Sequence, residues 1–386
     1  MSGPDRTYDF DRPPDRRSTD SIKWRRYAGR DVLPLWVADM DFASPPAVVD
    51  ALVRRVGHRV FGYAEPLPEL TAAVLGHLER DFGWTAEPDW LVWLPGLVSG
   101  LSVCCRAVGE PGDAVFTHTP IYPPFLKVPA AMDRQVTTVP LVCGSGGWAI
   151  DPDATAGALA DERTRLFLLC SPHNPCGRVW TRHELERLAD LCLAHDVVIC
   201  SDEIHNQLVL DPDRRHLPTA LLSAEVAART ITLMAPSKTF NVAGLGCSFA
   251  VIPDAGLRRR FRRAMAGIVP HVNALGLTAA LAAYTEGEPW RQALLEYLRK
   301  GRDMVQAEVA ALPGLTMAPV EATYLAWIDA RGLDLADPVA HLEEHGLGLS
   351  DGRDFGAPGF VRLNFGCAHA VLREALARLR QAVAAS

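Results

Sequence analysis

The sequence predicts an α/β protein: a mainly parallel, seven-stranded sheet with crossover helices, joined to a smaller α+β domain. Three observations point there. Between about residues 91 and 252 seven short apolar runs recur: LVWL (91–94), AVFTH (114–118), QVTTVPL (135–141), RLFLLC (165–170), VVICS (197–201), TITLMA (230–235) and GCSFAVI (246–252). Amphipathic stretches such as 97–108 and 181–195 separate several of them. Consecutive parallel strands need a crossover of about a dozen residues or more, usually a helix, so this alternation is the pattern of a parallel sheet. After residue 315 the pattern shortens to a strand, TYLAWIDA, a helix over 336–346 and a strand, GFVRLNF. The 386 residues suffice for about two such units.

The remaining elements follow from periodicity. Residues 46–60 and 67–83 read as helices, with Leu70, Val74 and Leu78 on one face. Residues 271–312 read as one or two long helices, and 369–384 as a final amphipathic one. Residues 1–45, rich in Pro, Asp and Arg, read as an extended arm. The expected division is an arm contributing to the small domain (1–45), a large domain (46–285) and a C-terminal small domain (286–386).

Composition narrows the function classes. The chain is 48% hydrophobic and 22% charged, with a net charge of −7, so it has no global attraction to nucleic acid or an anionic membrane. The one basic run, Arg258–Arg260 with Arg262 and Arg263, reads as a solvated helix face. No apolar stretch approaches the roughly 20 residues of a membrane span. The N-terminus, MSGPDRTYDFDRPPDRR, lacks the apolar core of a secretory signal. Nine scattered cysteines without a CxxC fit reduced, buried thiols in the cytoplasm.

Only four of the 39 basic residues are lysine: Lys23, Lys127, Lys238 and Lys300. Lys23 lies in a charged arm, SIKWRR; Lys127 follows prolines; Lys300 reads as exposed helix. Lys238 differs, because it follows the apolar run TITLMA and opens a small-residue loop, PSKTFNVAGLG. An amine fixed there suits a Schiff base with a carbonyl cofactor, since partial burial lowers its pKa; the alternative is a surface loop lysine. Asp202 ends VVICSD, where α/β proteins place catalytic groups. It can pair with a pyridinium nitrogen, share a metal with Glu203, or cap a helix. Asn174, in SPHNPCGRVW, offers an amide to a phenolate oxygen or simply makes an Asn-Pro turn. Arg362, inside an apolar strand, needs an anion, either a substrate carboxylate or a structural partner.

Together these four groups resemble the pyridoxal-phosphate (PLP) enzymes of the aspartate-aminotransferase fold. More specifically the chain resembles the MalY/PatB-type C–S lyases, which are cystathionine β-lyase-like. The strings LPLWVADMDF, FGYAEP, PGLVSGLS, TPIYPPF, HNPCGRVW, SDEIH, APSKTFN, ATYLAW and FVRLNFGC carry the resemblance over nearly the whole chain. It implies that Lys238 carries PLP, that Asp202 pairs with the ring nitrogen, Asn174 with the ring oxygen, and that Tyr122 stacks on the ring. The backbone N–H groups of Val98 and Ser99, at a helix start, would hold the phosphate with the Ser237 hydroxyl. Tyr63 would reach the phosphate of a neighbouring subunit, making a homodimer with shared sites. Tyr63 and Tyr122 would join Lys238 as catalytic groups; Arg362, with Asn174, would bind the substrate carboxylate, and Val37 would line its mouth.

Three features depart from the aminotransferase pattern. His205 stands where Tyr is usual and is expected beside the cofactor. Gly246 and Cys247 stand near where an Arg would hold phosphate. Gln207 replaces an acid and would alter substrate preference if it faced the site. His341 and His345 share helical spacing without the Glu of a zinc site, so they read as a solvated face. The expected reaction is β-elimination from cystathionine or another S-substituted cysteine, giving a thiol, pyruvate and ammonia. An aminotransferase on the same scaffold and a regulatory protein that keeps the fold are the alternatives.

Overall fold

The computed structural model describes residues 8–144 and 146–386; the first seven residues of the arm and Ser145 of the Cys143–Gly147 turn lie outside these. All seven apolar runs form strands of one sheet: β1 (Leu91–Leu94), β2 (Ala114–Thr119), β3 (Gln135–Pro140), β4 (Thr164–Cys170), β5 (Val198–Asp202), β6 (Thr230–Met234) and β7 (Ser248–Val251). Their order is β1-β7-β6-β5-β4-β2-β3, and only β7 runs antiparallel to its neighbours. Strands β2, β5, β6 and β7 are buried at every residue. Burial on both faces is why these strands show no alternation of buried and exposed positions; the polar residues they hold, such as Thr117, His118 and Thr232, are buried too.

The smaller pattern forms a second, antiparallel sheet of β8 (Thr316–Met317), β9 (Leu325–Asp329), β10 (Ser350–Asp351) and β11 (Phe360–Asn364), in the order β8-β9-β11-β10. One apolar core joins this sheet, through Leu325 and Leu363, to Val305 of the helix Glu288–Ala311 and Leu376 of the helix His369–Ala384. Phe10, Leu35, Met40 and Phe42 of the N-terminal arm enter the same core. Residues Leu33–Pro34 pair in parallel with Leu347–Gly348. The 271–312 stretch resolves into two helices, Ala274–Glu286 and Glu288–Ala311. They meet at Gly287, where a Cβ would stand 2.5 Å from the Ala283 carbonyl and 2.6 Å from the Phe240 ring.

Two expectations are corrected. Lys23, in an arm expected to be extended, does not lie in extended chain. It sits in a short helix, Ile22–Arg25, and is 0% exposed, with Nζ 2.9 Å from Asp41 and 3.3 Å from the Asp39 carbonyl. An unpaired buried ammonium would be costly, and its partner lies 18 residues downstream, beyond local pattern. His341 and His345 are half-buried rather than solvated; His341 Nε2 bonds the Ala382 carbonyl at 2.9 Å and ties its helix to the C-terminal one.

Candidate active site

The C-terminal ends of five sheet strands converge on one cavity of about 840 Å³. β1 leads through Pro95–Gly96 into the helix Leu97–Ala107. Tyr122 follows β2, Asn174 follows β4, Asp202 is the last residue of β5, and Ser237 and Lys238 follow β6. Crevices at the C-terminal ends of such strands are where open α/β sheets bind ligands. The small sheet closes the cavity with Arg362 of β11, and the arm contributes Trp36, Val37 and Ala38. Thus Lys238, Asp202, Asn174, Tyr122, His205, Ser237, Val98, Val37 and Arg362 all line one space. Ser99 stands in the first turn of its helix but not on the wall. Tyr63, 107% exposed, stands off this cavity in its own chain. Gln207 does not face it either: it is buried against Asp81, with Nε2 to Oδ2 at 3.2 Å.

The electrostatics are those of a partly dehydrated site. Burial, aided by the nearby Arg362 charge, lowers the Lys238 amine to about 8. Its Nζ donates to the Ala38 carbonyl at 2.7 Å. Burial lowers His205 to about 3, helped by Lys238 and Arg362, so its imidazole is neutral, and its Nδ1 has no partner among the described residues. Glu203 turns away from Asp202 to accept from Ser201 Oγ (2.8 Å) and Thr219 N (3.0 Å) and to pair with His216 (2.8 Å). The two carboxylates therefore do not converge on a shared metal.

Burial raises Asp202 from 3.8 to about 7, with Glu203 adding to the rise; a 3.1 Å hydrogen bond from Ile204 N and the Lys238 charge oppose it. The folded protein thus holds this proton more tightly than the unfolded chain. The resulting stabilisation is complete below about pH 4 and is lost as pH rises through about 7. In cofactor-free protein, Asp202→Asn should flatten the fall in melting temperature across that window. Parallel wild-type and variant profiles would show that no such proton is held.

Sequence reading missed what anchors the 36–42 segment. Asn364 Nδ2 donates to the Val37 and Asp39 carbonyls (2.5 and 2.7 Å), and Tyr324 Oη to the Ala38 carbonyl (2.9 Å). Asn241, at φ 54°, bonds Met40 and Phe42. Arg16 and Lys23 pin Asp39 and Asp41. One of these was within reach: residues i and i+2 of a strand share a face, so Asn364 must stand beside Arg362.

These residues fit pyridoxal phosphate. The N–H groups of Leu97, Val98 and Ser99 find no acceptor among the described residues, and the helix they begin has no side-chain cap; they suit a phosphate. Asp202 Oδ2 has no donor among the described residues and suits a protonated ring nitrogen. The Asn174 amide, the Tyr122 ring and the Lys238 amine complete a set matched to a phosphorylated pyridine aldehyde.

Known proteins agree. Residues 30–379 match the family model for class I and II aminotransferases. The chain is 38% identical to cystathionine β-lyase PatB of Bacillus subtilis, over 97% of this chain and 99% of that protein. The crystal structure of a protein called OvoB superposes with a TM-score of 0.96 at 47% identity, covering 98% of this chain and 100% of the other. Cystalysin of Treponema denticola, whose crystal structure contains pyridoxal 5'-phosphate, superposes at 0.94 with 31% identity, covering 98% and 100%. With its cavity built for that cofactor, the chain belongs to the class I and II aminotransferase family and, within it, to the PLP-dependent MalY/PatB-type carbon–sulfur lyases.

Proposed function

We propose that this protein cleaves the Cβ–S bond of an S-substituted L-cysteine, with cystathionine as one candidate, releasing a thiol, pyruvate and ammonia. The observation that carries this reading is the pairing, in one cavity, of the Lys238 amine with a buried guanidinium, Arg362, that has no carboxylate within 4 Å among the described residues. That pair can hold an α-carboxylate while a base faces Cα. Bound pyridoxal phosphate supplies an electron sink for charge developing at Cα. Asp202 holds the proton on the ring nitrogen that keeps the sink strong. Lys238 Nζ takes the Cα proton; the electron pair expels the β-thiolate, and the Lys238 ammonium can return a proton to it. The remaining 2-aminoacrylate, once free, takes up water to give pyruvate and ammonia.

The same reading extends to the assembly. Val49, Val53, Val56, Val60, Phe61 and Leu67, all within the 49–67 stretch that holds Tyr63, are exposed, a concentration of exposed apolar side chains in one segment that favours a partner face. It supports a homodimer in which Tyr63 enters the neighbouring copy's phosphate site. We take residues 46–285 as the cofactor domain and 286–386, with the arm 1–45, as the small one, because the arm shares the small-sheet core. All nine cysteines are free and eight are buried, which supports a reducing compartment such as the cytoplasm. Among the described residues no helix is long and apolar enough to cross a membrane.

The decisive assay offers the PLP-loaded protein a panel of S-substituted cysteines. Pyruvate, thiol and ammonia should appear in equal amounts, from a species that sediments as a dimer. Conversion of the cofactor to its amine form without pyruvate would instead establish an aminotransferase. A panel that yields neither would leave the regulatory reading.

A further inference from the structure

The chemistry above uses the inner half of the cavity. The outer half is lined by charged side chains: Arg26, Arg353, Asp337, Asp351, Asp354 and Glu343. Most of these charges are already matched. Arg353 pairs with Asp337 (2.9 Å) and with Asp351. Glu343 accepts from Arg30 (2.8 Å) and from the Tyr27 hydroxyl (3.1 Å). Arg26 is the cation without a direct partner: its guanidinium has no hydrogen-bond acceptor and no carboxylate within 4 Å among the described residues, although its charge helps to lower the Glu343 carboxyl.

Arg26 is nevertheless held in place. Its guanidinium lies 4.7 Å from the Trp36 ring centroid and 5.4 Å from that of Tyr27. Stacking on an aromatic face fixes a guanidinium while leaving its N–H edge free to donate. Trp36 is itself fixed at both ends: its Nε1 donates to the Lys23 carbonyl at 3.2 Å, and its carbonyl accepts from Arg362 at 2.8 Å. One residue therefore supports both arginines. Its backbone faces the guanidinium assigned to the substrate carboxylate, and its indole carries a second guanidinium toward the mouth.

We propose that Arg26, carried on Trp36, is a specificity-determining residue that selects thioethers whose leaving thiol bears an anionic group. The proposal rests on the lyase reading. With the α-carboxylate on Arg362 and Cα facing Lys238, the sulfur substituent extends from Cβ toward the open end of the cavity, where Arg26 donates to its anion.

The test compares kcat/KM for three cysteines of similar size: S-(2-carboxyethyl)-, S-(2-carbamoylethyl)- and S-(2-aminoethyl)-L-cysteine. The wild-type protein should prefer the carboxylate over the neutral amide by roughly fivefold, the upper end for an exposed charge pair. High salt should erode that preference. In Arg26→Gln the ratio should fall to about one, and Arg26→Lys should keep part of it; a purely structural role would lower all three rates together. Asp354 has no ion-pair partner among the described residues, so preference for the aminoethyl compound is the specific rival outcome and would overturn the proposal. So would equal rates for all three, or a carboxylate preference that survives Arg26→Gln. Absence of pyruvate from every compound would instead refute the lyase reading itself, so the two failures are distinguishable.

Discussion

Lys238→Ala will lower pyruvate release by about 10⁴-fold, the upper range for losing a positioned proton-transfer group, and will abolish the borohydride-trapped cofactor adduct. Of the four lysines only Lys238 reaches the cavity. Lys127 and Lys300 are exposed, and Lys23 is committed to Asp41. With its amine lowered to about 8, an appreciable fraction is neutral near physiological pH, and only the neutral amine can accept the Cα proton. kcat, which reports the substrate-bound state in which the Lys238 amine is free, should therefore rise with pH through that region. The Arg362 charge helps to depress the amine, so removing it should move the limb to higher pH. Lys238→Arg should be as inactive as the alanine variant, since a guanidinium stays protonated. A reducible adduct surviving in Lys238→Ala would move the cofactor to another lysine and refute the site.

How much of this was legible follows from where the information sits. The large sheet could be read because its strands, largely buried except for the edge strand β3, are predominantly apolar, and each such run became a strand. Asp202, Asn174 and Lys238 could be read because chemistry-bearing side chains directly after such runs lie at strand ends. Lys23 could not, since its neighbours Arg25 and Arg26 are exposed and only the fold brings Asp41 to it. The Ala38 carbonyl, which accepts from both Lys238 and Tyr324, was invisible because every residue has a carbonyl and sequence says nothing of where it points. Gln207 is two residues from His205, which faces the cavity, yet the intervening turn sends it to Asp81. Sequence adjacency to a motif does not specify a face once the strand has ended.

Arg362→Met should separate stability from function: kcat/KM for the thioether falls by about 10²–10³-fold, the cost of losing a buried charged hydrogen-bonding partner, while the cofactor-free protein melts at a higher temperature. The guanidinium is 4% exposed and its contacts are neutral: Asn174 Oδ1 at 3.0 Å, the Trp36 carbonyl at 2.8 Å, Ser350 Oγ at 3.2 Å and the Phe355 ring at 4.7 Å. Its Nε has no partner among the described residues. Burial alone lowers it to about 10, so the folded protein bears the cost of dehydrating a charge without a counter-ion. Methionine keeps much of the side-chain length and removes that cost, which is why stability should rise. The functional loss should fall mainly on KM, because the missing interaction is present as soon as the α-carboxylate binds. Arg362→Lys, which keeps the charge but not the fork, should lie between wild type and Arg362→Met in kcat/KM. A lower melting temperature with unchanged kcat/KM would make Arg362 a structural residue. The opposite pattern means that the substrate supplies the anion this buried charge lacks.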